Sequence, residues 1–181
     1  MRVITGTARG RTLETLPGND VRPTVDRVKE AVFSIIQFEI EGRRVLDLFG
    51  GSGQMAIEAL SRGAASATVV DNSRRSVEVI RRNLQTTKLA DKATILETDA
   101  LSFVKNSRST YDIAFLDPPY GMGLLQKALP DVAQRMAPGG VILCEAPVGE
   151  TLPEQIGNGY SVYRTYRYGK TGITAYRDTT V

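Results

Sequence analysis

Between residues 44 and 147, short apolar segments alternate with segments of helical periodicity, and glycine or aspartate closes most of the apolar segments. Chains with this alternation and short connections form a mainly parallel β-sheet with helices on both faces. Two β-rich segments on either side of residues 169–172 follow without a helical segment between them, and they predict a closing antiparallel hairpin. The predicted strands cover residues 45–49, 68–70, 93–96 and 112–116, and a fifth begins after residues 138–140.

The N-terminal part of the chain lies outside this alternation. Two short β-like pieces flank Arg9-Gly10-Arg11 and indicate a hairpin. Residues 25–40 carry apolar side chains at helical spacing, which predicts an amphipathic helix. We therefore predict an N-terminal β-hairpin extension over residues 1–25 and one larger α/β domain over residues 26–181.

The composition excludes several kinds of active site. The 181 residues include no histidine, so a Ser-His-Asp triad, an imidazole base and any histidine-containing metal site are excluded. Cys144 is the one cysteine, which excludes a multi-cysteine zinc site, and its apolar neighbours predict a buried thiol. The net charge of +3 permits a polyanionic partner. No apolar segment reaches the roughly 18 residues of a membrane span, so we expect a cytoplasmic protein without a membrane partner.

A glycine-rich loop, Asp47-Leu48-Phe49-Gly50-Gly51-Ser52-Gly53, ends the first predicted strand. Glycines let the backbone approach a ligand closely, and the N-terminus of the following helix offers free N–H groups. The segment also matches the G-x-G-x-x-A pattern of dinucleotide-binding loops. Asp71 ends the second strand, where a carboxylate can accept hydrogen bonds from ribose hydroxyls, and Asp99 ends the third. Loop and acids together indicate a nucleoside-containing cofactor and leave NAD and S-adenosylmethionine both open.

The most specific segment is Asp117-Pro118-Pro119-Tyr120, which directly follows the fourth strand. Two prolines hold the segment extended and leave carbonyl groups without neighbouring N–H donors. The carboxylate of Asp117 and the carbonyl of Pro118 suit the two hydrogens of a planar amino group, and the Tyr120 ring can stack on an unstacked base. In a sheet with reversed halves, the first and fourth strands are neighbours, so base and cofactor would meet. The segment predicts methylation of an exocyclic amino nitrogen of a nucleic-acid base.

These motifs together resemble the RsmD-like methyltransferases over nearly the whole chain. Three places differ from the family pattern: Gly51 stands where the family usually has alanine, and Asp71-Asn72-Ser73 and Glu145-Ala146-Pro147 are less typical than the core motifs. The resemblance rests on the glycine loop, the Asp-Pro-Pro-Tyr segment, residues 57–64, Arg9-Gly10-Arg11, Arg22-Pro23-Thr24 and residues 26–31.

The resemblance implies an α/β class I S-adenosylmethionine-dependent methyltransferase fold, Rossmann-like, with a seven-stranded sheet whose last strand is antiparallel. It implies methylation of a guanine amino group in 16S ribosomal RNA of the small subunit, with S-adenosylhomocysteine as the product and no metal. Asp117, Pro118, Pro119 and Tyr120 would hold the base. The implied cofactor residues are Asp47, Phe49, Gly50, Gly51, Ser52, Gly53, Asp71, Asn72, Asp99 and Ala100.

Arginines near the N-terminus are the expected RNA contacts. Arg9 and Arg11 lie at the tip of the predicted hairpin and Arg22 follows it, so they can reach phosphates. We expect a monomer that acts on the small subunit or its assembly intermediate. The alternatives are a DNA adenine amino methyltransferase, a nicotinamide-dependent oxidoreductase and a non-catalytic RNA-binding module. Asp-Pro-Pro-Tyr has no role in the oxidoreductase alternative.

Overall fold

The computed structural model describes the backbone of residues 1–17 and 23–181 and the side chains of residues 1–17 and 26–181. Within these residues, five α-helices and a short 3-10 helix pack around one sheet. The helices are α1 (Pro23–Ile35), α2 (Gln54–Ser61), α3 (Arg74–Thr86), the 3-10 helix Ala90–Lys92, α4 (Ala100–Asn106) and α5 (Leu124–Gln134). The strands are β1 (Arg44–Asp47), β2 (Ser66–Asp71), β3 (Ala93–Glu97), β4 (Tyr111–Leu116), β5 (Met136–Pro147), β6 (Gln155–Gly157), β7 (Tyr160–Tyr168) and β8 (Thr171–Asp178).

The strand order is β3-β2-β1-β4-β5-β8-β7-β6. Strands β1 to β5 are parallel, and β8 runs antiparallel to β5, as expected for the last strand. The sheet of the described residues has eight strands where seven were expected. The additional strand is the three-residue β6, which pairs with the start of β7. Strands β1 and β4 are neighbours, which confirms the predicted reversal of direction between the two halves of the sheet.

Two hydrophobic cores lie on opposite faces of the sheet, because successive residues of a strand point to opposite sides. Val45 and Leu46 in β1 show this division. The first core holds α1, α2, α3 and the N-terminal segment, and in it the rings of Phe33 and Phe115 lie 5.4 Å apart. The second core holds α4 and α5. None of the described helices has the length and apolar character needed to cross a membrane.

Two predicted boundaries move in the structure. The predicted helix over residues 25–40 is shorter and earlier, since α1 begins at Pro23, whose fixed φ suits a first helical turn, and ends at Ile35. The fifth strand begins at Met136 rather than after the glycines, because Met136 already pairs with Tyr111 before an irregularity in the ladder. Ser73 caps α3, because its side chain accepts a hydrogen bond from the Ser76 N–H.

The N-terminal segment forms one bridge, between Arg2 and Thr12, rather than a long hairpin ladder. Some of its backbone donors bond within the segment, as Val3 does to the Arg11 carbonyl, and others bond to α2. The buried carboxylate of Glu58 accepts hydrogen bonds from the N–H groups of Ile4 (2.9 Å) and Thr5 (3.0 Å). These bonds hold residues 1–16 against the main sheet layer. The division into an extension over residues 1–25 and a domain over residues 26–181 stays a prediction.

Candidate active site

One cavity of about 830 Å³ lies at the carboxyl ends of the parallel strands. This is the place where open α/β sheets bind ligands, at the point where the strand order reverses. All the residues predicted to hold the cofactor or the base border this cavity, with Gly53 as the exception. They are Asp47, Phe49, Gly50, Gly51, Ser52, Asp71, Asn72, Asp99, Ala100, Asp117, Pro118, Pro119 and Tyr120.

The glycine loop closes one side of the cavity. At Gly50, an added Cβ would lie 2.4 Å from a methyl carbon of Val69, so only glycine lets the loop pass this close to β2. Gly51 has a φ of +60°, a conformation that favours glycine, and it faces open space. Gly53 lies outside the cavity wall at the start of α2, and its backbone packs against Ile80. The loop therefore exposes the backbone of residues 50–52 to a ligand.

The acids at the ends of β2 and β3 have local structural partners as well. The Asp71 carboxylate accepts hydrogen bonds from the N–H groups of Gly51 and Ser73, both at 2.9 Å. Asp71 thereby fixes the glycine loop against the end of β2 while still bordering the cavity. Asp99 caps α4 by accepting a hydrogen bond from the Ser102 N–H, also at 2.9 Å. Both side chains retain lone pairs for a ligand, since the two oxygens of a carboxylate offer about four acceptor sites.

Asp47 is the most deeply buried carboxyl group of the cavity. Only 3% of its surface is exposed, and its carboxylate accepts one hydrogen bond, from the Ala56 N–H at 3.3 Å. Burial, with a smaller effect from the charges of Asp117 and Asp71, raises the pKa of Asp47 to about 8. A buried carboxyl group of this kind is neutral at neutral pH, and a cation brought beside it would stabilise its charged form.

The Asp-Pro-Pro-Tyr segment brings Asp117 next to a second carboxyl group, that of Glu145. The two residues follow Leu116 and Cys144, which are paired across β4 and β5. Solvent reaches Asp117 within the cavity, yet the surrounding protein desolvates it and raises its pKa. Burial and the neighbouring Asp117 raise the pKa of Glu145. Glu145 therefore keeps its proton more readily than Asp117 and donates a hydrogen bond to it.

Glu145 is the functional candidate that sequence reasoning did not single out. It belongs to the segment 145–147, whose role the sequence left open because it departs from the family pattern. The structure shows Glu145 in the cavity wall, paired with Ile173 of β8. Its position could have been predicted from the sequence: Glu145 is an acid at the end of β5, and the carboxyl ends of neighbouring parallel strands meet at one edge of the sheet.

Tyr120 lies at the mouth of the cavity with 53% of its surface exposed. Its hydroxyl group lies beside Thr171, and burial together with the nearby charges of Glu145 and Asp117 raises its pKa to about 12. The hydroxyl group is therefore protonated at neutral pH. An exposed ring beside two carboxyl groups is suited to stack on a planar base whose amino group points inward.

Helix α1 and the N-terminal segment form a further wall that the sequence did not predict. Val28, Lys29 and Val32 of α1 border the cavity. Lys29 is almost fully buried: its ammonium group donates a 3.0 Å hydrogen bond to the Arg2 carbonyl and lies 3.4 Å from the Glu58 carboxylate. The N-terminal part of the chain is therefore a structural component of the site. Met1, Thr15 and Leu16 complete this wall.

Two of the predicted RNA-binding arginines, Arg9 and Arg11, do not border the large cavity. Arg9 and Arg11 are exposed on the N-terminal turn, and Arg9 borders a smaller cavity with Asp26 and Glu30. Arg22 lies outside the described residues. Cys144 is buried as predicted, and burial raises the pKa of its thiol, so it is an unreactive group of the core.

The family model described as "Conserved hypothetical protein 95" matches residues 1–177. The chain belongs to this family. One relative of this chain is YlbH of Bacillus subtilis (strain 168), which is named a putative rRNA methyltransferase. The two are 37% identical over 182 residues, which is 98% of each chain. Ribosomal RNA small subunit methyltransferase D of Escherichia coli (strain K12) is 34% identical over 179 residues, 98% of this chain and 89% of the relative.

A solved structure supports the same assignment. The fold of the Conserved hypothetical protein 95 chain matches that of yhhF from Escherichia coli, which carries a methyltransferase name, with a TM-score of 0.85 and 34% identity. The match covers 98% of this chain and 97% of the other. These findings confirm the predicted resemblance, the class I methyltransferase fold and the methyltransferase activity. The oxidoreductase alternative is not supported by them.

Proposed function

We propose that this protein transfers a methyl group from S-adenosylmethionine to the exocyclic amino nitrogen of a guanine in 16S ribosomal RNA of the small subunit. The observation that carries the proposal is the position of the Asp-Pro-Pro-Tyr segment beside the glycine loop, at the ends of the adjacent strands β4 and β1. The relatives in Escherichia coli and Haemophilus influenzae named small subunit methyltransferase D support the choice of RNA.

The residues at the ends of β1 to β3 fit S-adenosylmethionine. The cavity volume is within the 300–1,000 Å³ range that is usual for ligand sites. SMU.776, solved as a complex with SAH, shares the fold with a TM-score of 0.69 at 17% identity; the match covers 83% of this chain and 48% of the other. Asp71 would hold the ribose, residues 50–52 and Asp47 would border the methionine part, and Asp99 with Ala100 would border the adenine.

The residues around Asp117 would hold and orient the base. Asp117 would accept a hydrogen bond from the guanine amino group, and the carbonyl of Pro118 would accept the second. These two bonds direct the nitrogen lone pair toward the cofactor, which supplies an electrophilic methyl group when bound. Tyr120 would stack on the base, and Pro119 keeps the segment extended. Alignment of the reacting atoms supplies most of the rate in such a site.

Glu145 would extend this acceptor site toward the Watson–Crick edge of guanine. That edge presents an N–H beside the amino group, whereas adenine presents an unprotonated nitrogen at the same place. Two adjacent carboxyl groups, whose pKa values are both raised by burial, supply acceptor oxygens for this edge. The pair supports guanine as the target base.

The remaining features of the proposal rest on sequence. Arg9, Arg11 and Arg22 would contact RNA phosphates, the substrate would be the small subunit or its assembly intermediate, and the protein would act as a cytoplasmic monomer. The amino group attacks a donor that is already positively charged, so the reaction needs no metal. These statements stay predictions.

The substitution Asp117→Ala tests the acceptor role. We expect loss of methyl transfer to 30S particles with little change in the affinity for S-adenosylmethionine measured by calorimetry, because Asp117 would touch the base and not the cofactor. Asp91→Ala, an exposed acid before β3, is the matched control and should act as the wild type. Near-normal turnover by Asp117→Ala would refute the assignment.

The choice of substrate needs a separate experiment. Labelled methyl incorporation should be compared between 30S particles, protein-free 16S RNA and duplex DNA, followed by mass spectrometry of the modified nucleoside. We expect N2-methylguanosine in RNA. Incorporation into DNA adenine would favour the DNA methyltransferase alternative, and no incorporation with any substrate would favour the non-catalytic alternative.

A further inference from the structure

An edge of the sheet combines unpaired cations with aromatic rings. We call residues 163–170 the β7 edge. The side chains of Tyr163, Arg164, Arg167 and Lys170 are exposed there, and the rings of Tyr166 and Tyr168 are partly exposed. Neither Arg9 and Arg11 nor the Asp-Pro-Pro-Tyr segment belongs to this surface. It is therefore a separate feature of the molecule that the proposed function does not use.

The β7 edge is open because its neighbour is short. Strand β6 pairs only with Tyr160 and Ser161, and the Val162 N–H donates to the Glu154 carbonyl at 2.8 Å. No strand of the described residues pairs with the outer side of β7 beyond that point. An open edge of a sheet usually carries charged residues that prevent pairing with another strand. Here the charges are all positive and alternate with tyrosines, which protection of an edge alone does not require.

The cations of the β7 edge are available to a ligand. Arg164, Arg167 and Lys170 make no salt bridge with any described residue. The Arg164 guanidinium group lies 5.2 Å from the centre of the Tyr166 ring, so the arginine and the ring form one flat contact surface. Two arginines on β7 and a lysine in the turn after it, none of them in a salt bridge with a described residue, favour a polyanion over an apolar or cationic partner.

The exposed ring of Tyr163 is held in place from below. The Arg177 guanidinium group lies 5.3 Å from the centre of that ring, and its own charge is balanced by a two-bond ion pair with Glu39, at 2.6 and 2.9 Å. A ring that is 65% exposed yet supported on one face offers the other face for stacking. Stacking on such a ring is the usual way in which proteins hold unpaired bases.

The β7 edge leads directly to the mouth of the active site. Because β8 runs antiparallel to β5, the turn between β7 and β8 lies at the carboxyl ends of the parallel strands; Thr171 pairs with Pro147. The Lys170 carbonyl accepts a 2.9 Å hydrogen bond from the Val148 N–H, and Thr171 lies beside the Tyr120 hydroxyl. From Tyr163 to Tyr168, the last residue of β7, the strand spans roughly 17 Å at about 3.3 Å per residue, enough for more than one nucleotide.

We propose that the β7 edge binds a single-stranded RNA segment adjoining the target nucleotide, with Arg164, Arg167 and Lys170 on phosphates and Tyr163 under a base. Bound in this way, the RNA would present its target base to Asp117, and that part of the inference rests on the proposed function. The segment is single-stranded because stacking on Tyr163 requires an unpaired base, and because a target base that enters the cavity must leave its helix. The surface lies at the opposite end of the sheet from β3, so residues near β3 provide controls.

The test compares two double variants that lose the same charge. Arg164→Ala/Arg167→Ala removes two cations of the β7 edge, and Lys92→Ala/Lys105→Ala removes two exposed cations beside β3 and in α4. Binding of a fluorescein-labelled, mixed-sequence 20-nucleotide RNA is measured by anisotropy at several salt concentrations. We expect the β7 variant to bind about tenfold more weakly and its log–log salt slope to fall by about 1.4, since each phosphate contact on a single strand contributes about 0.7. The control should match the wild type.

A second pair of variants tests stacking. Tyr163→Ala should weaken binding of the same RNA by about fivefold or more, whereas Tyr163→Phe, which keeps the ring, should not. Thermal denaturation and calorimetry with S-adenosylmethionine establish that each variant is folded and retains its cofactor site. An unchanged salt slope in the Arg164→Ala/Arg167→Ala variant, or equal effects in the control, would overturn the proposal.

The outcome also separates this inference from the proposed function. If the β7 variants lose RNA binding while the wild type methylates no ribosomal RNA, the surface stands as an RNA-binding surface and the proposed reaction is wrong. If the β7 variants lose methyl transfer to 30S particles but bind the 20-nucleotide RNA normally, the surface contacts a ribosomal protein and the RNA proposal fails.

Discussion

Replacement of Asp47 by asparagine should remove a strong dependence of stability on pH. Only 3% of the surface of Asp47 is exposed, and burial raises its pKa to about 8. In the unfolded chain an aspartate titrates near pH 3.9, so between these values the folded state holds one proton that the unfolded state has released. A proton bound only by the folded state makes folding less favourable as pH rises.

The magnitude follows from this difference of one proton. Stability should fall by about 1.4 kcal/mol per pH unit, so about 2.7 kcal/mol between pH 5 and pH 7. That is a large part of the 5–15 kcal/mol by which a typical domain is stable. The contribution of Asp47 to the free energy of unfolding is largest below about pH 4, where its carboxyl group is protonated in the folded and the unfolded chain. It is smallest above about pH 8, where the group is ionised in both. An asparagine side chain at this position would carry no such titration.

The measurement compares the two proteins over a window from pH 5 to 7. The chain contains no histidine, but burial raises the pKa of Asp117 to about 6 and that of Glu145 to about 8, so both groups titrate near this window in the wild type and in the variant. Glu39, whose pKa is lowered by its hydrogen bonds with Arg177, titrates below the window. Urea denaturation of the wild type and of Asp47→Asn at pH 5, 6 and 7 gives the difference in the free energy of unfolding, in which the contributions of other groups cancel. Parallel curves for the two proteins would refute the reasoning.

Two further predictions concern carboxylates that the structure buries. The pKa of Glu145 is raised to about 8, so Glu145 and Asp117 should repel each other as pH rises through that value, and the wild-type methylation rate should fall. Glu145→Gln, whose amide still donates to Asp117, should keep its methylation rate to higher pH. A pH–rate profile of this variant identical to that of the wild type would contradict the prediction. In urea denaturation, Glu58→Ala should lower the free energy of unfolding by about 3–5 kcal/mol, because it leaves buried donors unpaired. The control Glu78→Ala, at an exposed position of a helix, should change the free energy of unfolding by less than about 0.5 kcal/mol. Equal effects of these two substitutions would contradict the structural role of Glu58.

Much of the fold and of the candidate site could be predicted because it depends on residues close in sequence. The glycines of residues 50–53 and the acids Asp71 and Asp99 each follow a short apolar strand, and the carboxyl ends of parallel strands meet at one edge. Asp117 was predicted on the same ground. Strand β6 was missed because three residues, one of them a glycine, carry no alternating pattern that could be detected.

The rest could not be predicted, since it depends on contacts between distant residues. Glu58 lies in an ordinary helical pattern, and nothing near it in sequence shows that it accepts hydrogen bonds from Ile4 and Thr5, more than fifty residues away. The closeness of Glu145 to Asp117 depends on the register between β4 and β5. The same holds for Lys29, which borders the cavity only because α1 packs on this face of the sheet.

The sequence by itself determined which backbone positions turn sharply, which strands end in acids, and that no histidine takes part in the chemistry. These are local properties: the φ of Gly51, the extended prolines and the identity of Asp117 need no long-range contact. Only the tertiary structure decided which carboxyl groups keep a proton, and that β7 leaves an open basic edge leading to Tyr120. A pKa depends on burial and on neighbouring charges, and an open strand edge depends on which strands pair. Both are decided only when distant segments pack together.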